Sequence, residues 1–282
     1  MWLWLAIGSA LLLGVYDVAK KQSLKSNDTY YILAYSTGLT ALFLLPFITL
    51  GTLQGHLFLM AKAILVSASW VSGMLGLKLL PITTASTIKA SRPVFVILFS
   101  LILFGERLNI LQWCGVACVL VSLWLLSRSS KKEGIDFSQH KGIFYMAVSV
   151  LTGVASALYD KHIIKSLDPL FVQSWTNIYI TLILVLMIVW KKKVKNEEIA
   201  SFRWDWTILL IAIFITGADF MYFWALKCDG SLLSVVSIIR RASVIVTFGI
   251  GALMFKEKRI KDKAVDLAVM LGGMVFLVLG SC

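Results

Sequence analysis

The chain has 282 residues, of which 59% are hydrophobic and 15% charged, with a mean hydropathy of +0.86. A soluble domain carries about 25% charged residues and about 45–50% apolar ones, so soluble and disordered classes are both excluded. The formal charge of +12 does not imply nucleic acid, because the basic residues are scattered in short links between apolar runs, as membrane topology demands.

The apolar runs are about twenty residues long without alternation, which excludes an outer-membrane barrel and predicts an all-α membrane protein. In chain order the expected spans are Trp2–Ala19, Tyr30–Leu50, Leu57–Leu77, Ile82–Phe104 and Leu111–Leu126. After a polar stretch come Ile143–Ile164, Phe171–Trp190, Trp206–Leu226, Leu232–Phe255 and Ala264–Leu279. The first run lacks a basic segment before it and a small-residue cleavage site after it, and reads as a retained span. Cys114, Cys118, Cys228 and Cys282 show no metal-ligand spacing, and no cofactor or metal is expected.

The chain repeats itself. Tyr16–Asp17 with Ser23–Leu24 recurs as Tyr159–Asp160 with Ser166–Leu167. Gly76–Leu77–Lys78 recurs as Ala225–Leu226–Lys227. Ser86 to Lys89 recurs as Ser237 to Arg240, and Glu106 and Glu257 each follow seventeen residues after the basic residue. The matches keep one order and divide the chain into 1–127, a linker 128–141, and 142–282. Five spans per half is an odd number, so the halves must be inverted relative to each other. The expected fold is ten transmembrane helices in two inverted five-helix repeats, a symmetry suited to alternating access around a midplane site.

Charge inside a span costs at least about 2.5–3.5 kcal/mol on insertion scales and so demands a reason. Lys89 and Arg92 share one face of the fourth span, extended by Ser86. In the ninth, Ser237, Arg240, Ser243 and Thr247 form a polar stripe, with Arg241 beside it. Lys89 and Arg240 are repeat mates and should face one central cavity. The intramembrane acids Asp17, Asp160 and Asp219 are fewer. They are candidates for proton sites or for ion pairs with these cations, and the surplus of cations points to an anionic ligand. Trp70, Tyr222 and Trp224 are candidates to line the cavity.

Gly76-Leu-Lys78, Ala85-Ser86, Arg92-Pro-Val-Phe95 and Phe104-Gly-Glu-Arg-Leu108 together resemble the hallmark stretch of the EamA domain, of the drug/metabolite transporter superfamily. Lys256-Glu-Lys258 stands in the second half where the pattern has Gly-Glu-Arg. Thr87-Ile-Lys-Ala90 with Pro93 and Phe95, and Arg240–Arg241 with Val244-Ile-Val246, resemble the fourth and ninth helices of plastid sugar-phosphate/phosphate translocators. That resemblance implies phosphate-binding roles for Lys89, Arg240 and Arg241. Trp70, Gly73, Gly217 and Arg92 depart from the translocator pattern, so it implies an anion but not triose phosphate.

The function expected is secondary transport of a small organic anion, phosphorylated or carboxylated, by exchange or ion coupling. Export of amino acids or amphiphilic metabolites through an aromatic cavity is the alternative. A lipid-modifying enzyme is the minor one; it would need paired acids or a histidine at the membrane surface, and His56, His140 and His162 are isolated. The partners expected are the small-molecule substrate and the bilayer, with the protein a monomer or dimer, and the setting a prokaryotic cytoplasmic membrane. The links at 20–25, 78, 128–141, 191–203 and 256–263 hold eighteen Lys and Arg. The opposite face holds four: Arg107, Lys161, Lys165 and Lys227. The positive-inside rule places both termini outside, whereas the resemblance implies termini inside.

Overall fold

The computed structural model describes residues 2–104, 108–163, 167–194, 202–228, 236, 239–257 and 259–280. Their regular elements are helices joined by short turns and links, in the order α1 (Trp2–Ser23), α2 (Thr29–Leu44), α3 (Leu53–Leu79), α4 (Ile82–Ala90), α5 (Arg92–Phe104) and α6 (Ile110–Lys131). There follow α7 (Lys141–Ile163), α8 (Pro169–Lys193), α9 (Trp206–Lys227), α10 (Ser243–Met254) and α11 (Ile260–Leu279). Among the described residues, seven helical stretches are long and apolar enough to cross a membrane.

Side chains placed just before the first turns explain where the helices begin. Asp28, Asp168 and Asp205 accept from Tyr30, Leu170 and Thr207 backbone N–H groups, and Asn109 and Gln112 close a capping box at α6. The α3–α4 turn is held from both sides. Lys21 Nζ donates to the carbonyls of Leu77 (2.5 Å) and Leu80 (2.6 Å), neutralising the negative end of α3. Glu257, from the link before α11, accepts from the Ile82 and Thr83 N–H groups and the Thr83 hydroxyl, capping the positive end of α4. Its repeat mate Glu106 lies outside the described residues.

Helix pairing is symmetric under exchange of the halves. Span one packs on span eight (α1 on α9) as span six packs on span three (α7 on α3). Spans two and seven (α2, α8) pair with each other, as do spans five and ten (α6, α11). In the α6–α11 pair the backbones touch, the Gly115 and Gly273 positions each facing the other's carbonyl at 2.7 and 2.9 Å from where a Cβ would stand. Exposed Trp4, Ile102 and Leu253 belong to the lipid-facing surface.

The fourth span is not continuous. It breaks at Ser91 (φ −73°, ψ −12°), and the ninth breaks at the repeat-equivalent Ala242 (φ −61°, ψ −7°). Each corner carries two 3₁₀-type hydrogen bonds: Ser91 N donates to Ile88 O and Val94 N to Ser91 O, as Ala242 N donates to Ile239 O and Ile245 N to Ala242 O. Pro93 lacks an N–H and clashes with a continuing helix in the first half. The second half has Val244 there and breaks regardless.

Candidate functional site

The two corners meet a cavity of about 410 Å³ between the halves. Arg92 and Ser243, the first residues of α5 and α10, both line it, so the positive ends of two half-helices face it. Lys89, Arg240 and Arg241 close the first half of each broken span and line it as well, together with Ser86, Trp70, Tyr222 and Asp17.

Two of the expected cations are already paired. Lys89 Nζ lies 2.8 and 2.9 Å from the Asp17 carboxylate oxygens. Arg240 Nη2 bonds Asp219, whose second oxygen accepts from Gln173 Nε2 at 3.0 Å, and the guanidinium stacks 4.3 Å from the Tyr222 ring centre. In this conformation Lys89 and Arg240 are therefore half of two ion pairs.

The surplus positive charge resides elsewhere. Arg92 donates to Ser69 Oγ (2.7 Å) and the Ser149 carbonyl (3.2 Å), both neutral. Those serines tie α3 to α7, each hydroxyl donating to the other residue's carbonyl at 2.8 and 2.7 Å. The Arg92 guanidinium lies over Gly153, whose missing side chain leaves it room. Arg241 is deep in the bundle yet accessible, because it faces the cavity; its charged neighbours are Arg92 and Arg240. Lys20 is 8% exposed, with its ammonium 3.9 Å from the Tyr16 ring centre and 5.7 Å from Trp70. Among the described residues Lys20, Arg92 and Arg241 have no carboxylate partner.

Sequence reasoning missed Lys20 by assigning it to a link, because the apolar run stops at Ala19 while α1 continues to Ser23. It also passed over Lys62, inside the third span. Lys62 Nζ lies 2.6 Å from Asp160 Oδ1, so Asp160 pairs across α3 and α7 and does not line the cavity. Trp224 does not line it either. It is 52% exposed beside Phe220, because its position on α9 faces outward. Ser237 lies outside the described residues. His56 is held by Tyr179 (Nδ1 to hydroxyl oxygen, 2.9 Å) among Phe171 and Trp175, at the junction of α3 and α8.

Two exchange-related halves, broken helices and a charged cavity between them define a polytopic membrane protein of the secondary-transporter class. The chain belongs to the EamA-like transporter family, whose model matches residues 1–128 and 140–279. It is accordingly a multi-pass integral membrane transporter rather than an enzyme, and the family's double-domain fold implies ten transmembrane helices. None of the curated proteins matches it. A protein known from a crystal structure is 14% identical with a TM-score of 0.64, over 97% of this chain and 96% of that one, a likeness of fold alone.

Proposed function

We propose that the protein moves a small organic anion, phosphorylated or carboxylated, by alternating access, and that Lys20, Arg92 and Arg241 are its principal ligands. One observation carries the reading: Asp17, which lines the cavity, is engaged by Lys89, and Asp219, outside its lining, by Arg240, which leaves Lys20, Arg92 and Arg241 with no carboxylate at ion-pair distance among the described residues. Cations at this depth are tolerated when their desolvation is offset, and a bound anion does so through charge-assisted hydrogen bonds. Two guanidinium forks suit a planar carboxylate or a tetrahedral phosphate. Lys89 and Arg240 join the clamp when the anion displaces Asp17 and Asp219. The corners at Ser91 and Ala242 are the hinges about which the half-helices that carry these cations turn.

The aromatic-cavity reading needs free ring faces. Lys20 covers Tyr16 and Trp70, and Arg240 covers Tyr222, so the geometry favours the anion. The test is uptake into proteoliposomes of inorganic phosphate, a sugar phosphate, a dicarboxylate and a neutral amino acid. Arg241→Gln and Lys20→Gln are expected to abolish uptake of the transported anion. Wild-type uptake by both variants, or transport of the amino acid alone, overturns the reading.

A further inference from the structure

A second cavity, of about 850 Å³, lies where the α3–α4 turn, the α6–α7 link and the α10–α11 link meet. Its charged wall holds Lys21, Lys78, Lys132, Lys256 and Arg259 against two acids, Glu133 and Glu257. Both acids are committed elsewhere. Glu257 caps α4, and Glu133 lies 2.8 Å from the fully buried Lys263. Lys21 is bound to the end of α3. Lys132 and Arg259 share one exposed carboxylate, Asp262, at 3.9 and 3.6 Å, beyond hydrogen-bond length. Such exposed pairs are weak and yield readily to a better ligand. Lys78 and Lys256 are exposed and have no carboxylate partner among the described residues.

The backbone supplies an independent sign. Lys256 (φ 50°) and Arg259 (φ 51°) are the non-glycine residues in the left-handed region among those described, and both line this cavity. L-residues occupy that region at a cost, met where the surroundings require it. Here it turns two basic residues of one short link toward the same hollow.

We infer that this hollow is a second anion site, in which Lys78, Lys132, Lys256 and Arg259 hold a phosphate group borne by a soluble phosphate or by a lipid headgroup. Arg259 supplies the fork and the lysines the surrounding charge. Because Lys78 ends a helix of the first half and Lys256 and Arg259 belong to the second, a bound phosphate ties the halves together at this face. The inference is independent of what the central cavity carries.

The test uses the full-length protein in nanodiscs of zwitterionic lipid. Thermal unfolding is followed with inorganic phosphate, with chloride at matched ionic strength, and in discs containing phosphatidylglycerol. Either phosphate or phosphatidylglycerol is expected to raise Tm by roughly 5 °C at saturation over the control. Because the central clamp is itself proposed to take a phosphate group, the comparison is made in an Arg241→Gln background: there the shift is expected to persist, and adding Lys78→Gln/Lys256→Gln is expected to abolish it. A shift with free phosphate in zwitterionic discs assigns a soluble ligand, and one seen only with phosphatidylglycerol assigns the headgroup. Should the double variant fail to fold, Arg259→Asn, which keeps a residue tolerant of the left-handed backbone, makes the same comparison. No shift above chloride, a shift unchanged in these variants, or one lost in Arg241→Gln overturns the proposal.

Discussion

The guanidinium of Arg92 occupies the space a side chain at Gly153 would fill: Nη2 lies 1.4 Å from where a Cβ would stand. A first-half cation is thereby seated against α7 of the second half. Gly153→Ala is expected to expel it, costing about 1–3 kcal/mol of stability as overpacking and lowering anion uptake, as Arg92→Gln is also expected to do. In an Arg92→Ala background the same change should cost far less. The double-mutant cycle, read by Tm, checks the coupling; additive losses would refute it.

The pairs Lys89–Asp17 and Arg240–Asp219 change what alanine substitutions report. Lys89→Ala strands the half-buried Asp17, so it should destabilise more than Lys89→Ala/Asp17→Asn does, because breaking a pair costs more than removing it. Asp219→Asn should instead free Arg240 and tighten anion binding by about tenfold, or about 1.4 kcal/mol. Titration of the transported anion measures this, and weaker binding would show that Asp219 helps to hold the ligand.

Lys62–Asp160 joins α3 to α7 away from the cavity and is expected to be structural. Lys62→Met alone should lower stability by about 1–3 kcal/mol, reduced from the cost of a fully buried pair because Asp160 is partly exposed. Lys62→Met/Asp160→Leu should recover most of that loss, with transport retained. If the double variant folds but does not transport, the pair belongs to the transport cycle.

Length, apolar runs and repeated motifs made the helical class and the ten spans legible, because bilayer thickness imposes span length directly. The ionic detail was less legible. A span's end is read from hydropathy, so Lys20 passed for a link residue although α1 extends through it. Partners are set by tertiary packing, so Asp160 with Lys62 and Asp219 with Arg240 could be named as candidates but not matched. Trp224 was misplaced because aromatic residues stand on both faces of α9, Tyr222 on the cavity and Trp224 beside exposed Phe220. Gly153 carried no signal, since its role appears only once Arg92 lies over it.

The charge tally makes a topological prediction. Of the eighteen basic residues assigned to one face, Lys20 and Lys263 are buried, which leaves the excess lopsided. A reporter fused after Cys282 is therefore expected to read as non-cytoplasmic. Cytoplasmic activity would reverse the orientation and place the basic hollow of Lys78, Lys256 and Arg259 on the outer face.

The broken spans set the last prediction. Proline is the obvious cause of the corner at Ser91, yet Ala242 turns with nearly the same dihedral angles and hydrogen bonds without one. What the two corners share is a cation in the last turn before the break, Lys89 in one and Arg240 in the other. Each is drawn sideways to a carboxylate of another helix and is favourably placed beside the terminal carbonyls. Pro93→Ala should therefore leave the corner in place, with transport within about twofold of wild type, since a twofold change is only about 0.4 kcal/mol. Lys89→Ala/Asp17→Asn, which removes the tether, should slow transport far more in a protein that still folds. Comparing the two rates in the same vesicles separates the causes: a severe loss in Pro93→Ala with little loss in the tether variant would assign the hinge to the proline.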